Sequence, residues 1–144
     1  MSRPELISTD PSTGEEVWRG AEASAEDVAK AVEAARAAQP AWEARPLSER
    51  REVLQRFQNA VRDRREDLAR MISRETGKPF WETQGEADAV MAKVDISMTA
   101  YQERTGNREK DGEHFRQALR HRPHGVLAVL GPYNFPAHLP NGHI

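Results

Sequence analysis

The sequence predicts an α/β fold that is mostly helical, and three observations carry the prediction. Apolar residues recur at spacings of three and four through successive segments between Ser24 and Tyr101, the period of helices with one covered stripe. Gly125-Val126-Leu127-Ala128-Val129-Leu130 is a continuous apolar run ended by Gly131-Pro132, the form of a strand covered on both faces as in a parallel sheet. Near the N-terminus, Asp10-Pro11-Ser12-Thr13-Gly14 supplies turn chemistry between two short extended pieces that together occupy residues 6–22.

Taken in order, the helices have legible ends. Ser24 reads as an N-cap, Asp27 closes an S-x-x-D box, and Val28, Ala31, Val32 and Ala35 fall on one face. Pro40 is expected to stop this helix. After Trp42 and Pro46 a second helix carries Val53, Leu54, Phe57, Ala60 and Val61. Asp63-Arg64-Arg65-Glu66 interrupts that stripe in the form of another capping box, which predicts a break and a third helix bearing Leu68, Met71 and Ile72. Gly77 and Pro79 end it. A fourth helix is expected from about Thr83, with Ala87, Val90, Met91, Val94, Met98 and Tyr101 in period before Gly106. Residues 106–113 read as a polar loop, and His114 to Arg122 as a short strand alternating Phe115 and Leu119 with polar neighbours. No later strand is present to pair in parallel with residues 125–130, so the chain reads as cut at Ile144 and not as finished.

Composition narrows the function. Hydrophobic residues make up 38% of the 144 and charged ones 31%, a balance of helices wet on most of their circumference that lean on something else. The formal net charge of -2 provides no general attraction for nucleic acid or an anionic membrane. The nine arginines between Arg45 and Arg74 are interleaved with five acidic residues, and Glu52/Arg56 and Glu66/Arg70 stand at i,i+4, so a solvated helix face explains them. There are no cysteines, which removes disulfides, thiolate metal sites and a cysteine nucleophile from these residues. The five histidines, at 114, 121, 124, 138 and 143, fall in no ligand motif, and prolines interrupt both close pairs, so no metal site is expected. Met1 to Asp10 has no leader pattern and no apolar run approaches the ~20 residues that cross a bilayer, so a cytoplasmic protein is expected.

The chemistry concentrates in Gly131-Pro132-Tyr133-Asn134-Phe135-Pro136, because ligands of open α/β sheets bind beyond the carboxyl ends of the strands. The Asn134 amide donates two hydrogen bonds without charge, which suits it to a developing oxyanion. It equally suits a turn between Pro132 and Pro136, and position alone leaves both roles open.

The order of these elements resembles the N-terminal third of the aldehyde dehydrogenase superfamily along essentially the whole chain. The resemblance rests on Asp10-Pro11-Ser12-Thr13-Gly14-Glu15, the Ala-rich helix ending near Trp42, Glu75-Thr76-Gly77-Lys78-Pro79 and Gly131-Pro132-Tyr133-Asn134-Phe135-Pro136. The stretch from His121 through Leu130 and on to Ile144 is narrower still and resembles one branch of that superfamily. The resemblance implies the N-terminal part of the aldehyde dehydrogenase fold, including the first strand of a Rossmann-like sheet. Residues 1–112 would be the helical part of an NAD-binding domain, 113–124 a β arm of an oligomerisation domain, and 125–144 the first strand and loop of the NAD-binding core. It implies an oxidoreductase using NAD on a small aldehyde. Gly131, Pro132, Tyr133 and Asn134 would line the nicotinamide end of the cofactor site, Asn134 would hold the oxyanion, and Phe135 and Leu139 would border the aldehyde channel. A homo-oligomer pairing through the 114–124 strand is implied as well. The cysteine and glutamate that complete the family's catalytic set lie outside these residues, so this chain alone is expected to be inactive. The alternatives are an aldehyde dehydrogenase of another substrate and a non-catalytic helical interaction domain.

Overall fold

A computed structural model describes residues 3–143. The N-terminal extended pieces form β1 (Glu5–Thr9) and β2 (Glu16–Ala21), an antiparallel pair with an irregularity between Ser8 and Thr9. Their turn closes as its residues predict. Asp10 Oδ1 accepts from the Ser12 N–H at 2.8 Å, the Asp10 carbonyl accepts from the Gly14 N–H at 2.7 Å, and Gly14 takes a φ of 77°.

Helix α1 (Ala25–Glu43) begins at Ser24 with both halves of the capping box formed. The expectation that Pro40 ends it is corrected, since the helix runs three residues further. Proline withholds only the donor for the carbonyl four residues back, and its fixed φ is itself helical. The Pro40 carbonyl still accepts from the Ala44 N–H at 3.1 Å, which holds the final turn. None of the α1 residues is buried, so its stripe of Val28 and Val32 faces outward.

Helix α2 (Leu47–Asp63) follows Pro46, and α3 (Arg65–Thr76) follows a break at Arg64, where φ is -116° and ψ 22°. The break is where the sequence predicts it, but the second capping box is corrected: no side chain caps α3, and Glu66 instead meets Arg70 at 3.4 Å one turn on. Gly77 ends α3 in the left-handed region with φ 73°. Helix α4 (Phe80–Arg104) starts earlier than Thr83, directly after Pro79. Trp81, in this first turn, faces solvent, so the apolar stripe does not announce the turn.

The core lies between α3 and α4, where Ala69 and Ile72 are buried with Ala87, Val90 and Val94. Arg65 spans the same two helices with a two-pronged pair to Asp88 at 2.5 and 2.7 Å, and its guanidinium holds the Asp88 carboxyl below the usual carboxylate range. Gln58 ties α2 to α4 by donating to the Met91 carbonyl at 2.9 Å and to Asp95 at 2.8 Å.

Residues 106–113, read as a loop, contain β3 (Arg108–Asp111), which pairs antiparallel with β4 (Arg116–Leu119). All four β3 residues are charged and exposed, so apolar alternation could not reveal the strand; backbone pairing and ion pairs from Arg116 and Arg120 to Glu109 hold the hairpin. The strand expected at 125–130 is a further correction. It has no ladder among the described residues because neither sheet, β1–β2 nor β3–β4, lies alongside it. Leu127 and Leu130 are exposed there. A final single turn, α5 (His138–Asn141), returns the chain to α4. No helix among the described residues is long and apolar enough to cross a membrane.

The α3 end also receives the N-terminal turn. A Cβ added to Gly77 would stand 2.8 Å from Pro11 Cγ, on a backbone that side chains avoid. Gly77→Ala is therefore expected to cost about 1–2 kcal/mol, read as a fall in the urea unfolding midpoint. An unchanged midpoint would mean that the turn does not rest on this cap.

Candidate functional site

The site is built outward from one buried charge. The face of α4 that carries Ala87, Val90 and Val94 also carries Thr83 and Glu86, and Glu86 is only 5% exposed. A carboxylate this far from water costs several kcal/mol unless its oxygens are satisfied. One oxygen, Oε1, accepts from the backbone N–H groups of Ala137 at 3.1 Å and His138 at 3.3 Å. The other meets Lys78 Nζ at 3.5 Å.

Lys78 reaches this position because Gly77 turns the chain back from α3. The Ser73 hydroxyl donates to the Lys78 carbonyl at 2.6 Å and fixes that turn. The ammonium is half enclosed: it also meets Glu82 at 3.3 Å and sits 3.6 Å from the centre of the Phe135 ring. A cation over an aromatic face contributes about 0.5–2 kcal/mol depending on its desolvation. One turn further along α4, Asn141 Nδ2 donates to the Val90 carbonyl at 3.0 Å. The segment from Ala137 to Asn141 is thus fastened to α4 by three hydrogen bonds, to Glu86 and to the Val90 carbonyl.

The residues singled out in the sequence divide into a fastened group and an open one. Phe135 lies under Lys78, and Leu139 is a half-open residue of α5. A Cβ at Gly131 would fall 2.5 Å from Pro140 Cγ, so Gly131 lets α5 fold back against the start of the loop. Pro132 is half-buried. Tyr133, 89% exposed, and Asn134 lie in a turn on the open side. No hydrogen bond of the Asn134 side chain forms among the described residues, which leaves both of its donors uncommitted. Hydrogen bonds from Ala137, His138 and Asn141 tie the far end of this loop to α4.

An uncommitted carboxamide on a loop fixed at one end is free to donate to a ligand. Glu86 belongs to no motif in the sequence, and Lys78 figures there only within Glu75-Thr76-Gly77-Lys78-Pro79. A signal existed, because Glu86 stands three residues after Thr83 and four before Val90 and so places a charge on the covered stripe.

These residues are those of a known family. The aldehyde dehydrogenase family model matches residues 2–144, and the chain belongs to that family. It resembles the N-succinylglutamate 5-semialdehyde dehydrogenase of Novosphingobium aromaticivorans, with 57% identity over 145 residues that take in 100% of this chain and 30% of the relative. The enzyme of the same name from Burkholderia pseudomallei is 55% identical over 141 residues, covering 98% of this chain and 29% of its own length. The chain therefore spans about 30% of the length of these curated relatives, their N-terminal portion.

Among solved structures, an NADP-dependent enzyme of E. coli superposes with a TM-score of 0.87 at 28% identity, over 96% of this chain and 29% of that one. The aldehyde dehydrogenase of Brucella melitensis biovar abortus 2308 gives 0.88 at 22% identity, over 98% of this chain and 30% of that one, and supports the fold alone. The architecture is the N-terminal portion of the aldehyde dehydrogenase fold.

Gly131→Ala tests the loop packing. Because proline is a rigid neighbour, the added methyl should displace α5 and cost about 1–3 kcal/mol. The measurement is the thermal midpoint together with amide exchange across residues 131–141. Unchanged values in both would contradict the close approach.

Proposed function

We propose that this chain is the N-terminal part of an NAD-dependent enzyme that oxidises N-succinyl-L-glutamate 5-semialdehyde to N-succinylglutamate in arginine degradation. The observation that carries the reading is the 55–57% identity with relatives of that name, sustained over the whole chain. The solved relative from Sinorhizobium meliloti 1021, complexed with NAD and 29% identical with a TM-score of 0.85, supports the choice of cofactor. When bound, NAD would supply a hydride acceptor, its nicotinamide. Gly131, Pro132, Tyr133 and Asn134 line its side of the site, Phe135 and Leu139 border the aldehyde channel, and Asn134 donates to the oxygen of the reacting carbon. The enzyme acts in the cytoplasm as a homo-oligomer that pairs through residues 114–124, the stretch that contains β4. Exposed Phe115 and Leu119 favour this reading, since an uncovered edge with apolar side chains invites pairing. The chain by itself has no cysteine to act as nucleophile and does not turn over aldehyde.

The test is steady-state kinetics of the full-length enzyme. NADH should form with N-succinylglutamate semialdehyde at a far higher kcat/KM than with simple aliphatic aldehydes. A preference for aliphatic aldehydes would overturn the substrate while leaving the family intact.

Asn134 gives a second test. Charge on the reacting oxygen grows toward the transition state, so the amide acts more on kcat than on KM. Asn134→Ala should lower kcat by roughly 10²–10³-fold, the loss typical of one oxyanion donor. Asn134→Asp should be at least as harmful, because it sets negative charge against a forming negative charge. Near-normal kcat in the alanine variant would return Asn134 to a turn-forming role.

A further inference from the structure

We infer that Glu86 is a positioning residue for the reaction: from α4 its carboxylate holds the backbone of the loop that carries Asn134 and Phe135. The inference deepens the oxyanion role of Asn134 and rests on that reading.

The Asn134 side chain makes no hydrogen bond among the described residues, so it takes its place from the backbone of its loop. Glu86 Oε1 accepts from two consecutive amides, those of Ala137 and His138, at 3.1 and 3.3 Å. One acceptor shared by neighbouring N–H groups sets the orientation of a backbone as well as its place. Ala137 is three residues from Asn134, so little slack separates the clamp from the amide that must meet the oxyanion.

The same carboxylate reaches the other side of the loop through its second oxygen. Lys78 compensates Glu86 at 3.5 Å and covers the Phe135 ring at 3.6 Å, so the buried charge and the aromatic wall of the channel share one cation. These functions can be separated by substitution. Glu86→Asp keeps the charge for Lys78 but withdraws the acceptor from the amides by one methylene. Glu86→Gln keeps an acceptor at full reach and loses the charge.

The experiment uses the full-length enzyme with both substitutions, alone and combined with Asn134→Ala, and reads kcat, KM and hydrogen exchange of the Ala137 and His138 amides. Glu86→Asp is expected to lower kcat by about 10–100-fold, the scale of a misplaced catalytic group, with little change in KM and faster exchange at both amides. Glu86→Gln should stay within about 5-fold of the parent, since a neutral acceptor is weaker but still in place. On the Asn134→Ala background, Glu86→Asp should lower kcat little further, because it acts through the group already removed. Parental kcat and exchange in Glu86→Asp would overturn the inference, and so would losses that multiply in the double variant. If Asn134→Ala alone kept its kcat, the oxyanion reading would fall. Amide exchange alone would then decide on the clamp: faster exchange in Glu86→Asp would support it and unchanged exchange would overturn it.

Discussion

The structure depends on a buried carboxylate and its compensation. Glu86 lies among the apolar residues that join α3 to α4, where a charge left alone would weaken the core it sits in. Its partners come from two distant stretches of sequence, the turn after α3 and the loop before α5. A buried charge accepts few arrangements, because each oxygen must find donors. An apolar residue at this position would tolerate many packings of the loop. The carboxylate specifies one.

That requirement explains why short motifs far apart in the chain converge. The turn at Asp10–Gly14 abuts Gly77 through Pro11, the left-handed Gly77 delivers Lys78, and Lys78 meets both Glu86 and Phe135. Three of the four segments that carry the family resemblance thus touch in sequence, each supporting the next. The last link bears on the proposed function, since Phe135 shares its loop with Asn134, the residue proposed to meet the oxyanion. Apolar side chains also face outward on α1 and along 126–130. The N-terminal portion described by these residues spans about 30% of its curated relatives.

Much of the fold is legible in the sequence, and the failures have physical reasons. The Ser24 cap, the break near Arg64 and the Gly77 stop follow from local backbone chemistry, and the structure forms all three. Pro40 misleads because a proline near a helix end removes one bond without removing the turn. Residues 108–111 are unreadable as a strand because an exposed hairpin arm of charged residues needs no apolar alternation. Residues 125–130 mislead in the opposite direction: their composition is that of a covered strand, but pairing depends on a neighbour that no local pattern supplies. Asn134 stands out in the sequence as a neutral donor on a loop, and the structure leaves its side chain uncommitted there. The pair that places this loop is half legible: Glu86 marks a charge on the covered stripe of α4, but nothing local assigns it Lys78, eight residues away in the turn between α3 and α4.

The central claim is that Lys78 and Glu86 stabilise the fold as a unit, each making the other tolerable. A double-mutant cycle in unfolding midpoints of the full-length protein tests it most directly, using Lys78→Met, Glu86→Gln and the combination. Lys78→Met should be the most damaging, since it leaves a buried carboxylate short of its cation, and adding Glu86→Gln should recover part of the loss. Midpoint shifts that simply add, with the double variant the least stable of the three, would contradict the account.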